Sequence, residues 1–189
     1  MTFYTEERMK NWVDRINEQE LDFESAESFE VFDKMIEDFV VACMYLIRSV
    51  KDREIPKKDA LMELEEVSKI FEKKFSFNDQ FKREFFEFSR ESMRTILAAS
   101  KLYLEGKVSK KDFKTLLEEA VKKEKEGDLD SAFELVAKMG AKILAGEKLP
   151  ELDAPDDEFV VLNWLDGVDA INTVVLLSEI DASEIEEED

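Results

Sequence analysis

From Phe32 to Ile47 the apolar residues Phe32, Met35, Ile36, Phe39, Val40, Cys43, Leu46 and Ile47 return at steps of three and four. That spacing lays one wide apolar stripe along a helix and leaves the opposite face polar. The same rhythm runs through most of the chain. The residues that would interrupt it are scarce, with 5 Gly and 3 Pro in 189 positions. Glu, Lys, Leu and Ala, which lose little on entering a helix, are abundant. Such a chain is expected to be all-α, with about seven helices stacked as antiparallel helical hairpins.

Start and stop signals divide it. Thr5, followed by Glu6 and Glu7, suits the N-cap of a first helix ending near Gln19. The second helix starts near Ser25 or Ser28, and Pro56 suits the first turn of a third. A fourth opens between Ser76 and Asp79 and stops at Gly106. Ser109-x-x-Asp112 reads as a capping box for a fifth, which ends at Gly127, and Asp128 caps a sixth, which ends at Gly146. A linker with two Pro precedes a last helix expected over 156–180, in which Val161, Trp164, Val168, Ile171 and Val175 share a face. A strand over 173–177 is the alternative there, because β-branched residues are frequent. The expected organisation is a hairpin body over 1–150, a packed C-terminal helix over 151–180 and a disordered acidic tail over 181–189.

Charge is as uneven as the helical pattern is regular. All 27 bases lie at or before Lys148, whereas 14 of the 47 acids follow it. The net charge of −20 is therefore concentrated in the last forty-one residues. A chain so acidic is repelled by phosphates, which argues against direct nucleic-acid binding. It suits docking onto a basic macromolecule.

Several chemistries are excluded. There is no His, so the usual general base and imidazole metal ligand are missing. The single Cys43 permits no intrachain disulfide and no cysteine zinc site, and its apolar neighbours mark it as core. The opening carries acids at once and lacks the apolar stretch of a leader. The apolar run from Phe159 to Leu177 is broken by Asn163, Asp166, Asp169 and Asn172, a costly set to place across a membrane. A cytoplasmic protein without a membrane span is expected.

Two segments repeat at an offset of 53. Ile55-Pro56-Lys57-Lys58-Asp59 matches Val108-Ser109-Lys110-Lys111-Asp112, and Leu64-Glu65-Glu66 matches Leu117-Glu118-Glu119. Gly127-Asp128-Leu129-Asp130-Ser131-Ala132 is a looser version that resembles the start of the second helix of a tetratricopeptide repeat. The opening Phe3-Tyr4-Thr5-Glu6-Glu7-Arg8, then Asn11-Trp12-x-Asp14-Arg15, and the closing Trp164-Leu165-Asp166-Gly167-Val168-Asp169 are more distinctive. Together they resemble an archaeal family catalogued as domain of unknown function 2150. The resemblance covers nearly the whole chain and implies an archaeal, cytoplasmic source, but it carries no activity, cofactor or functional residue.

Candidate sites are few. The Phe-rich stretch Phe71, Phe75, Phe77, Phe81, Phe85, Phe86 and Phe88 lies near Lys73, Lys74, Lys82 and Arg83, as a base-stacking surface would. Its helical spacing instead fits an aromatic cluster shared by two helices. Carboxylate pairs that could hold Mg²⁺ are Glu65 with Glu66, Glu118 with Glu119, and Asp166 with Asp169. All-α nucleotide pyrophosphatases of the MazG type use acids on facing helices in this way, although the match here is diffuse. Gly167, within a helix, marks either close helix packing or a ligand. Trp12 and Trp164 fit core positions, and one cluster joining the two ends of the chain is a reading open to them.

The leading expectation is a non-catalytic interaction or regulatory protein that binds a basic protein or a nucleic-acid-binding protein. Asp156, Asp157, Glu158, Glu184, Glu186, Glu187, Glu188 and Asp189 would steer the encounter. No cofactor is expected. The alternative is a Mg²⁺-dependent nucleotide hydrolase using Asp166, Asp169, Glu118 and Glu119. A homo-oligomer built through the amphipathic helices is a third reading.

Overall fold

The computed structural model describes residues 3–155 and 158–187, with side chains described as far as residue 179. The described residues form seven α-helices and no strand: α1 Glu6–Glu18, α2 Glu30–Lys51, α3 Lys57–Phe71, α4 Gln80–Leu104, α5 Phe113–Lys125, α6 Leu129–Leu144 and α7 Val161–Glu187. A single 3-10 turn, Ala26–Phe29, leads into α2.

The local signals account for most of these boundaries. Thr5, Asp79 and Asp128 each accept hydrogen bonds from backbone N–H groups of the first turn they precede. Gly106, Gly127 and Gly146 follow α4, α5 and α6 at φ of 76°, 81° and 97°, the left-handed region that a side chain disfavours. Pro56 is the residue just before α3. Ser109 does not cap α5. Asp112 does, accepting from the Thr115 N–H at 2.8 Å, while the Ser109 hydroxyl accepts from the Lys111 N–H within the loop. The buried face of α5 starts at Phe113, so a helix opening three residues earlier would gain no buried contact. This also breaks the repeat: Asp59 lies in the first turn of α3, whereas its counterpart Asp112 lies before α5.

The α7 helix begins five residues later than the sequence suggests and runs to Glu187. Residues 173–177 are helical, not a strand. Ile171 and Val174 are buried three positions apart, and that packing outweighs β-propensity. The buried stripe ends on Val174, with Val175 only partly covered. The expectation of disorder over 181–189 falls on helical backbone without described side chains and on residues 188 and 189, which lie outside the described residues.

Helix α4 is central and packs against α2, α3, α6 and α7. Helices α5 and α6 pair around Gly127, and α1 lies on α2. In a one-dimensional array each repeat touches only its neighbours. Here α7 crosses α4 and α6 and also reaches α2, which closes the body on itself. Cys43 is buried on α2, and lack of solvation pushes its thiol pKa up to about 12. The two Trp residues have separate partners. Trp12 donates to Asp38 and lies under Arg15, whereas Trp164 stacks edge-on with Phe133 and donates to Glu91.

Candidate interaction groove

Helix α7 is fixed on the body at three points. Its first N–H groups are orphan donors, because no preceding turn supplies them with acceptors. Glu124, from the last turn of α5, takes two of them: its carboxylate accepts from Val160 N–H at 2.6 Å and Val161 N–H at 2.9 Å. The Ser92 hydroxyl of α4 donates to the Asn163 carbonyl at 3.2 Å. One turn further on, α7 passes so close to α4 that a Cβ built on Gly167 would lie 2.5 Å from the Ser92 carbonyl oxygen and 3.0 Å from Thr95 Cβ. Gly167 is therefore explained by helix packing. The α4 face beneath it carries the small residues Ser92, Thr95 and Ala99, and its buried hydroxyls bond to carbonyls one turn back. Gly140 of α6 makes a similar approach to Ala99 and Ile171, which the sequence analysis did not single out.

On the other side of α7 the packing is incomplete. A cavity of about 740 Å³ opens between α7, α2 and α4. Helix α4 contributes Phe85, Phe88, Ser89 and Ser92. The 3-10 turn contributes Phe29 and the start of α2 contributes Phe32 and Ile36, with Asp33 and Glu37 on the adjoining positions. The α7 wall runs from Asn163 through Asp166, Asp169, Ala170, Thr173 and Val174 to Leu177. The floor is aromatic: Phe85 lies 4.9 Å from Phe29 and 5.6 Å from Phe32, centroid to centroid. Phe29 meets Phe23, and Phe23 meets Phe81, both edge-on, so the belt continues to the surface. Most of the Phe-rich stretch is core, as its spacing implied. Phe71 packs on Phe39, and Phe75 and Phe77 pack on Phe86. Phe81 and Phe88 are the exposed members.

Every charged residue that lines this groove is acidic. No Lys or Arg is among its lining residues. Among the described residues, Asp33, Asp166 and Asp169 have no ion pair and accept no hydrogen bond. Their side chains reach solvent at the groove mouth, yet the apolar wall crowds them. Desolvation raises the carboxyl pKa of all three above the ordinary aspartate value. The nearby charges of Asp169 and Asp33 add to it at Asp166, and that of Glu30 at Asp33.

The other carboxylate pairs have a different setting. Glu119 is held by Lys111 at 2.6 Å and Glu118 lies 3.9 Å from Lys114. Glu65 pairs with Lys101 and Glu66 with Lys69. Glu118 lines a separate cavity between α5 and the segment 147–155, so the structure does not bring it to Asp166 and Asp169. Among the described residues, no three acids, or acids with Cys43, form a group able to hold a metal ion. Glu158 is exposed just before α7. Asp156, Asp157, Glu188 and Asp189 lie outside the described residues, and Glu184, Glu186 and Glu187 belong to the last turns of α7. Sequence reasoning missed Asp33 and Glu37. Nothing local marks them, since they meet the α7 acids only through the fold.

The family model for an uncharacterised protein conserved in archaea, domain of unknown function 2150, matches residues 2–184. The chain belongs to that family. The match spans all seven helices except the final residues of α7, so the groove lies within the domain of unknown function 2150. No curated protein and no solved structure matches the chain. Among the described residues, no helix is long and apolar enough to cross a membrane.

Proposed function

We propose that this member of the domain of unknown function 2150 family is a cytoplasmic, non-catalytic interaction protein that binds a basic protein or nucleic-acid-binding protein through its acidic C-terminal region. The observation that supports this reading is the contrast in pairing. Glu65 and Glu66 on α3 and Glu118 and Glu119 on α5 have lysine partners, whereas Asp166 and Asp169 on α7 stand at an open groove without any. Helix α7 itself contains no base. Unneutralised charge of one sign speeds encounters with the opposite sign and makes them sensitive to salt.

The test is affinity capture from nuclease-treated archaeal extract at low and moderate salt. The baits are the full chain and a variant with Glu184, Glu186, Glu187 and Glu188 changed to Gln together with Asp166→Asn and Asp169→Asn. A basic partner retained by the native chain at low salt, and lost both with salt and in the variant, is the expected result. A partner insensitive to both would contradict the proposal. So would nucleotide hydrolysis that requires a divalent cation and disappears with Asp166→Asn.

A further inference from the structure

The groove between α2, α4 and α7 has features that narrow the partner. Its floor is apolar and aromatic, and its rim carries four carboxylates and no base. Its α7 wall extends from Asn163 to Leu177, a rise of about 21 Å, or roughly four helical turns. Phe88 and Leu177 face into this space 52% and 51% exposed, so large apolar side chains stand at its mouth uncovered. All three walls are helices, and grooves of this kind receive an amphipathic helix laid lengthwise.

Resting on the reading above, we propose that this groove takes a basic amphipathic helix of another protein. Apolar side chains on one face of that helix seat against Phe29, Phe85, Phe88 and Leu177. Lys or Arg along its edges pairs with Asp33, Glu37, Asp166 and Asp169. Nucleic acid is disfavoured because its phosphates would meet only carboxylates here. A polyamine would satisfy the rim but leave the aromatic floor in water. A helix with both an apolar face and basic edges satisfies rim and floor together. The burial of the partner's apolar face supplies most of the affinity, while the charges set approach and register.

The probe is a synthetic Leu/Lys peptide of about four turns with its Leu residues on one face. It is compared with a shuffled peptide of the same composition, and binding to the full chain is followed by fluorescence anisotropy at two salt concentrations. The shuffled peptide is expected to bind at least about tenfold more weakly. Phe88→Ser and Leu177→Ser, both at positions already more than half exposed, are expected to weaken the amphipathic peptide about tenfold at either salt. Asp166→Asn with Asp169→Asn is expected to weaken it mainly at low salt. Thermal melting monitors the fold of each variant. Equal binding of both peptides with no effect of Phe88→Ser and Leu177→Ser would overturn the groove. If binding is then lost only on neutralising Glu184, Glu186, Glu187 and Glu188, acid-driven docking survives without it. Failure of both peptides to bind any form would overturn both proposals. Displacement of the peptide by spermidine, in a manner that depends on Asp166 and Asp169 but not on Phe88, would identify a polyamine site instead.

Discussion

Helices α5 and α7 both carry acidic residues at helical spacing, yet their carboxylates stand in opposite situations. On α5, Glu118 and Glu119 each have a lysine, Glu124 takes backbone N–H groups at the start of α7, and Asp112, just before α5, takes one at the start of α5 itself. On α7, Asp166 and Asp169 face a partly apolar groove alongside Asp33, and no base is within reach among its lining residues. An acid count alone treats these positions alike. The difference comes from whether a lysine falls one turn or one loop away. The last base of the chain is Lys148, so every acid beyond it must look to another part of the molecule, or to another molecule, for its counter-charge.

The contrast can be broken first at the contact that sets the α7 wall. Gly167→Ala places a Cβ against the Ser92 backbone, and α7 must shift off α4. Overpacking of this kind costs about 1–3 kcal/mol, visible as a lowered Tm, while the ion pairs of α5 should be unchanged. Next in size is Glu124→Ala. It removes the α5 acid that works on α7 and leaves the Val160 and Val161 N–H groups without their acceptor. Loss of an N-terminal cap costs about 1 kcal/mol, read from denaturant unfolding with the m-value checked for change.

The third test acts on the groove acids themselves. Their folded-state pKa values lie above the unfolded ones. The stability they contribute is thus fully present in acid and is lost as pH rises through the folded-state range. Asp166→Asn with Asp169→Asn should therefore raise the melting temperature at neutral pH, and the gain over the native chain should vanish as pH falls below the carboxylate range. The smallest effect is expected at Glu118→Gln. That residue is well exposed and its lysine is 3.9 Å away, so the change in unfolding free energy should stay under about 0.5 kcal/mol.

Much of this fold is legible in the sequence because its boundaries are local. Thr5, Asp79 and Asp128 cap their own helices, and Gly106, Gly127 and Gly146 end them, all through contacts within a few residues. Boundaries set from afar are not legible. The start of α7 depends on Glu124, which lies 36 and 37 residues earlier in the chain. Ser109 and Asp112 are both good caps, and the choice between them follows from where the buried face of α5 begins. The groove was half visible. Asp166 and Asp169 could be named as a pair, and Gly167 as a close approach. Asp33 and Glu37 could not, because only the crossing of α7 over α2 brings them to the same rim. The Phe-rich stretch shows the same limit: its spacing identifies a core helix but does not tell that Phe88 stays at the surface.

The aspartates of the α2–α7 rim are crowded by apolar side chains without a hydrogen-bond donor, whereas Asp112 and Asp128, which cap helices, accept hydrogen bonds. Residue-specific carboxyl titration of the full chain by ¹³C NMR tests this central contrast directly. Asp33, Asp166 and Asp169 should titrate above the ordinary aspartate value. Asp112 and Asp128, whose ionised forms accept hydrogen bonds from Thr115 and Ser131, should titrate below it. All five titrating together at the ordinary value, or the order reversed, would contradict the account.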